Sequence, residues 1–161
     1  MNINVKIDFN RSPLDKMARE LAKCEKYKVK VGVLNGGDYR DENNHLTVAG
    51  YGLINEFGNV LKNIPERSFI RSPLMSHLVE RIVKDKEKFG EIYENKENAE
   101  GIYERMGIIA KSIIQEAFAT SNDGNWAENS PITIMKKKSS KPLIDKGRLV
   151  KSIDYEVVEL W

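Results

Sequence analysis

Over residues 2–9 the chain switches between apolar and polar at every step: Ile3, Val5, Ile7 and Phe9 are separated by Asn4, Lys6 and Asp8. A period of two puts every second side chain on one face, so this stretch predicts a half-buried strand. Val29, Val31 and Val33 predict a second strand over 28–34, and Ile153, Tyr155 and Val157 a final one over 153–160. Elsewhere the period is helical. Leu14, Met17, Ala18, Leu21 and Ala22 form one stripe that begins at Ser12-Pro13, has Asp15 just inside, and ends near Glu25. Leu74, Met75, Leu78, Val79, Ile82 and Val83 form another behind Ser72-Pro73, and Phe89, Ile92 and Tyr93 extend it past Gly90. The clearest stripe is Ile102, Met106, Ile109, Ala110, Ile113, Ile114 and Ala117, which fades at the turn-forming cluster Thr120-Ser121-Asn122-Asp123-Gly124.

Shorter pieces fill the gaps. Thr47 can cap a helix running to Phe57, with Gly58 able to close it in the left-handed conformation. Residues 147–153 read as a helical turn. Residues 35–47 hold Gly36-Gly37, Asp38, Arg40, Asp41, Glu42 and Asn43-Asn44 with almost nothing to bury, which predicts a long polar loop. Residues 131–146 are ambiguous, because Ile132 and Ile134 alternate while the lysines after them read as an exposed loop at 136–141. Strands and helices do not alternate regularly. The expected fold is therefore α+β, a small, mainly antiparallel sheet packed against two long helices plus shorter ones, with 1–161 as a single domain.

Composition agrees with a packed domain. The chain has 161 residues, of which 40% are hydrophobic and 31% charged. Lys and Arg number 26 against 24 Asp and Glu, a balance unlike that of a dedicated nucleic-acid binder. A lone Cys24 excludes an internal disulfide or a multi-cysteine zinc site. The N-terminal stretch has no apolar run of signal-peptide length and no window reaches the length of a membrane span, so the expectation is a soluble protein made in the cytoplasm, without a membrane partner.

Catalytic chemistry is thinly supplied. His45 lies in the polar loop and His77 in the second stripe, neither at ligand spacing from another His or Cys. Gly32 with Gly36-Gly37 follows a valine-rich strand, yet no Gly-Lys-Ser/Thr ending follows it. The expectation is a non-enzyme without cofactor or metal. Lys136, Lys137, Lys138 and Lys141 are the sharpest charge feature; they read either as a solvated loop or as contacts to DNA phosphates or an acidic partner. No aromatics are interleaved for base stacking.

Two segments remain. The first is Ile54-Asn55-Glu56-Phe57-Gly58 followed by Ile64-Pro65-Glu66-Arg67-Ser68-Phe69-Ile70-Arg71. If extended, it aims Arg67, Phe69 and Arg71 one way, with Glu56 and Asp145 as carboxylates to pair the guanidinium groups. The second is Lys141-Pro142-Leu143-Ile144-Asp145-Lys146-Gly147-Arg148-Leu149, then Ser152-Ile153. There Asp145 could cap the turn near Gly147, Gly147 supplies a positive φ or a close approach, and Leu143, Leu149 and Ile153 anchor the chain in the core.

With Trp126 and Asn129-Ser130-Pro131 between them, these segments over 48–71 and 125–155 resemble the tail-completion, or neck, proteins of long-tailed bacteriophages. Two positions depart from that family's pattern: Ser68 stands where proline is usual and Lys146 where threonine is usual. The resemblance implies a structural virion protein, assembled in the host cytoplasm, that forms a ring joining the tail tube to the head connector around a DNA channel. Asn55, Glu56, Phe57, Gly58, Pro65, Arg67, Phe69, Arg71, Pro142, Leu143, Ile144, Asp145, Gly147 and Leu149 would set its fold. Asp38, Arg40, Asp41 and the four lysines would meet neighbouring proteins or DNA. The alternatives are a tail terminator, or a small non-specific nucleic-acid-binding protein that uses the lysine loop.

Overall fold

The computed structural model describes residues 19, 22–23, 25–34, 39–41, 44–94 and 99–160. The strand expected over 2–9 and most of the first helix lie outside these residues; Arg19, Ala22 and Lys23 are helical. Strands β1 (Tyr27–Val33) and β4 (Ile153–Glu159) pair antiparallel, from Tyr27 opposite Glu159 to Val33 opposite Ile153. Strands β2 (Tyr39–Asp41) and β3 (Asn44–Thr47) form a separate antiparallel pair. The long polar loop expected at 35–47 is therefore partly a short hairpin. Strands of three and four residues are too short to leave an alternating apolar pattern in the sequence.

The helices are α1 (Val48–Phe57), α2 (Arg71–Lys84), α3 (Lys86–Glu94), α4 (Ala99–Thr120), α5 (Pro131–Lys137) and α6 (Arg148–Lys151). The protein is α+β, with α4 packed on both strands of the β1–β4 sheet and on α2. Thr47 caps α1, its Oγ1 accepting the Gly50 amide at 3.0 Å. Gly107 is where α4 comes closest to the sheet. A Cβ there would lie 2.1 Å from Cδ2 of Tyr155, whose hydroxyl donates to Glu104 Oε2 at 2.8 Å. Only a residue without a side chain lets the Tyr155 ring lie against the helix backbone.

The core gathers Val48, Phe69, Ile114, Ala117, Phe118, Trp126, Leu143, Leu149 and Ile153. Phe118 is its centre, with ring centroids 5.3 Å from Phe69 and 5.6 Å, edge-on, from Trp126. All the α4 stripe from Ile109 to Ala117 is buried. The second stripe behaves differently. Leu74, Leu78 and Ile82 are half-buried, whereas Met75, Val79 and Val83 face solvent. The helix also breaks at Asp85 and does not run on to Phe89 and Tyr93. Asp85 takes φ −95° and ψ 10°, and its carboxylate grips the Arg105 guanidinium of α4 through both Nε and Nη2.

Residues 131–137 are helical, which settles the ambiguous stretch. Ser130 caps α5, its Oγ accepting the Thr133 amide at 3.3 Å, and Pro131 fills the first helical position. Lys136 and Lys137 thus belong to the last turn of a helix, and Lys138 closes it in the left-handed conformation with φ 55°. The loop expected at 136–141 begins only there. Cations in a final helical turn offset the negative end of the helix dipole, so this placement gives the lysines a local structural role.

Candidate functional site

Glu56 is the hinge of the first segment. Its side chain is buried, and one carboxylate gathers the start of α2: Oε2 accepts the amides of Phe69 at 2.7 Å and Ile70 at 3.0 Å, while Oε1 accepts the Arg71 amide at 3.0 Å. Ser68 Oγ donates to Oε1 at 2.8 Å and in turn accepts the Ser72 amide at 2.9 Å. The orphan amides at this helix start are therefore shared between a carboxylate from a different helix and the nearby Ser68 hydroxyl. An anion at a helix N-terminus is also favoured by the helix dipole. The expected start at Ser72-Pro73 moves back to Arg71, with Ile70 in the cap position making no side-chain cap bond.

Arg71 adds charge to this anchor. Its Nε meets Glu56 Oε1 at 3.1 Å, its Nη2 meets Glu66 Oε1 at 2.8 Å, and its guanidinium lies 4.5 Å from the Phe57 ring centroid. Glu56 is thus the carboxylate that meets Arg71; Asp145 pairs with neither arginine of this segment. Arg67 behaves unlike Arg71. It is buried, and its Nε and Nη2 donate to the carbonyls of Ala127 and Glu128, each at 2.8 Å. Burial pulls its guanidinium pKa below the ordinary value, with the nearby Tyr51 acting against that shift. Because Arg71 already belongs to α2, the two-residue alternation stops at Phe69 and the three side chains do not share a face: Arg67 and Phe69 are buried and Arg71 is exposed.

Asn55 continues the same lattice, its Nδ2 donating to Tyr51 O at 2.8 Å while its own carbonyl accepts the Arg67 amide at 2.7 Å. Gly58 has φ 72° and ψ 178°, so it is extended with a positive φ, outside the left-handed helical region expected of it. A Cβ on Gly58 would stand 2.8 Å from the Glu66 amide nitrogen. The chain doubles back on itself here, with Asn59 and Ile64 exchanging amide bonds at 2.8 and 2.9 Å. Pro65 is exposed on the way out.

A strap over Trp126–Asn129 ties the first segment to the second. Trp126 Nε1 donates to Ser68 O at 3.0 Å, and Arg67 holds the next two carbonyls. Asn129 Nδ2 donates to Ser140 O at 3.0 Å and to Lys141 O at 3.1 Å. The strap is launched by a reversal in which Ser121, Asn122, Asp123 and Gly124 all have positive φ, and Asn122 Nδ2 pins that reversal to Ser72 Oγ at 3.1 Å. The sequence signal for this strap was the Trp and the Asn-Ser-Pro. Its role was illegible because every bond but one goes to backbone carbonyls, which no residue type announces.

In the second segment Leu143 and Leu149 enter the core, Ile144 packs against it, and Pro142 is half-buried. Leu143 has φ 57°, and the Ile144 amide reaches back to Pro142 O at 2.7 Å in a three-residue turn. A bulky residue held at positive φ is strained, and here the burial of its side chain offsets that cost. Gly147 takes φ 72° in the cap position of α6, the positive φ expected of it. Asp145 lines a hollow of about 310 Å³ with Val48, Tyr51 and Leu149.

A larger open groove of about 890 Å³ runs between the 59–64 turn and α5, with Val60, Asn63 and Ile64 on one wall and Thr133, Lys136 and Lys137 on the other. Lys137 Nζ donates to Lys141 O at 3.1 Å; Lys136, Lys138 and Lys141 are exposed. Val60 and Leu61 at the tip of the turn are 95% and 99% exposed. Of the proposed contacts in the hairpin, Asp38 lies outside the described residues, and Arg40 and Asp41 fall in β2. Among the described residues no three or more His, Cys, Asp or Glu side chains converge to hold a metal ion, and no helix is long and apolar enough to cross a membrane. Compared with known proteins, this chain matches no family, no characterised protein and no solved structure.

Proposed function

We propose that the protein is a structural component of a tailed phage or prophage, a ring-forming tail-completion or neck adaptor without catalytic activity. What supports the reading is the use to which its two signature segments are put. The buried Glu56 carboxylate anchors the first, Leu143 and Leu149 anchor the second, and the Trp126–Asn129 strap bonds to both. Polar chemistry of this kind, spent on backbone amides and carbonyls, fixes the shape of a scaffold. The same scaffold displays the Val60-Leu61 tip and α5 to the outside. Electron microscopy of lysates from a phage lacking this chain tests the reading: separate filled heads and normal-length tails are expected. Intact infectious particles would refute it, and overlong tails would move the assignment to a tail terminator.

The exposed Lys136, Lys138 and Lys141 favour a second reading, in which the protein binds duplex DNA non-specifically. That reading requires a steep fall of affinity with salt and a loss of binding when Lys136, Lys137 and Lys138 become alanine.

A further inference from the structure

Among the described residues, Arg67 is a buried cation without a carboxylate. It is 7% exposed, and its Nε and Nη2 are taken by the backbone carbonyls of Ala127 and Glu128. No Asp or Glu of the described residues forms an ion pair with it; the carboxylates of its own segment, Glu56 and Glu66, are engaged by Arg71 instead. Burial lowers its pKa, and no acid stands among the causes that act against this. Carbonyl dipoles satisfy two donors but leave the charge itself unanswered, and a charge out of water without a counter-ion is costly. Nη1 makes no hydrogen bond. Since no buried side-chain nitrogen or oxygen of the described residues lacks a partner, Nη1 opens outwards, and Arg67 lines the groove of about 890 Å³ between the 59–64 turn and α5.

We propose that this groove takes an Asp or Glu side chain carried on a segment of a partner protein, its carboxylate reaching Nη1 of Arg67 and an aliphatic neighbour lying against Val60 and Ile64. Charge-assisted bonds to a guanidinium are stronger than neutral ones, and here most of the water around the cation is already gone. Lys136, exposed on the α5 wall, adds attraction at the rim. The occupant is a peptide carboxylate and not a nucleic-acid backbone for two reasons. Duplex phosphates lie on a convex surface and meet exposed lysines, whereas Arg67 is buried. The groove also carries Glu66 and Glu128, which repel a polyanion but leave room for a single carboxylate: Glu66 is paired with Arg71 at 2.8 Å, and Glu128 gives Arg67 only its backbone carbonyl. The site stands on its own chemistry, whether or not the protein is a neck adaptor.

Binding of the full chain to an array of short peptides is the experiment. Each peptide holds one central glutamate among varied alanine, leucine, serine and glycine positions, and stands beside a twin with glutamine in its place. The wild type is expected to retain the best glutamate peptides about tenfold more strongly than their twins, as befits a hydrogen bond between charged groups, and to prefer leucine beside the glutamate. Arg67→Gln should erase the difference between twins, which a loss of packing alone would not do selectively. Val60→Asp and Lys136→Glu change exposed side chains, so they keep the test decisive if Arg67→Gln fails to fold by circular dichroism. Each should weaken the glutamate peptides at least threefold. Nuclear magnetic resonance of the wild type with the best peptide should shift the Arg67 side-chain signals and the amides of Ser130 and Thr133. Twins bound equally, or no peptide bound because a segment of the same chain fills the groove, overturns the proposal. So does a duplex oligonucleotide that displaces the peptide and shifts the same signals, or binding that Val60→Asp and Lys136→Glu leave unchanged.

Discussion

Glu56 shows how one side chain can set the geometry of a whole segment. Its carboxylate serves three backbone amides, a serine hydroxyl and an arginine at once. Glu56→Ala leaves those buried amides without a partner and should cost about 3 kcal/mol, since each unsatisfied buried donor costs roughly 1–3 kcal/mol. At this chain length that corresponds to a fall in Tm of roughly 10 °C by calorimetry. Glu56→Gln keeps the shape but turns an amide NH₂ towards donors, so it should lose most of the same stability. Equal Tm for Glu56→Gln and the wild type would mean the anchor is not electrostatic. Gly107→Ala is the second test. It gains up to about 1 kcal/mol of helix propensity, yet the new methyl collides with the Tyr155 ring, and overpacking costs about 1–3 kcal/mol. The net expectation is destabilisation, largely rescued when Tyr155 is also made smaller. Ser68 repays attention too: the position departs from the neck-protein pattern, and its hydroxyl bridges Glu56 and the Ser72 amide.

Elements were legible where one face is buried. The α4 stripe, the β1 and β4 alternation and the Thr47 cap could all be read because each leaves a period or a capping residue in the chain. The α2 stripe misled, since six apolar residues spaced for one face are divided between a half-buried row and an exposed ridge. A helix with partners on one side only needs three of them for the core. The break at Asp85 was hidden because no Gly or Pro marks it; the residue there pairs with the guanidinium of Arg105, twenty residues on and in another helix. That pair carries a pH signature. Bonding to Arg105 holds the Asp85 carboxyl below its ordinary value of 3.8. Its contribution to stability is therefore whole above that value and is lost as pH falls through the lower folded value. Arg105→Met should flatten the acid limb of the stability curve in this range, measured by denaturant unfolding at successive pH values. Trp126→Ala, which removes both an aromatic contact in the core and the bond to Ser68, should cost about 3–5 kcal/mol.

For the molecule as a whole, the sequence order of the two segments carried more than either alone. Their meeting through the Trp126–Asn129 strap and the core could not be read from residue types, since it rests on carbonyls and on packing. Under the proposed function, this scaffold would offer its exposed apolar and lysine-bearing surfaces to partners. Phage particles imaged by cryo-electron microscopy test that most directly. Density for this chain is expected as a closed ring at the junction of head and tail. The chain found elsewhere in the particle, or missing from it while infectivity is normal, would contradict the account.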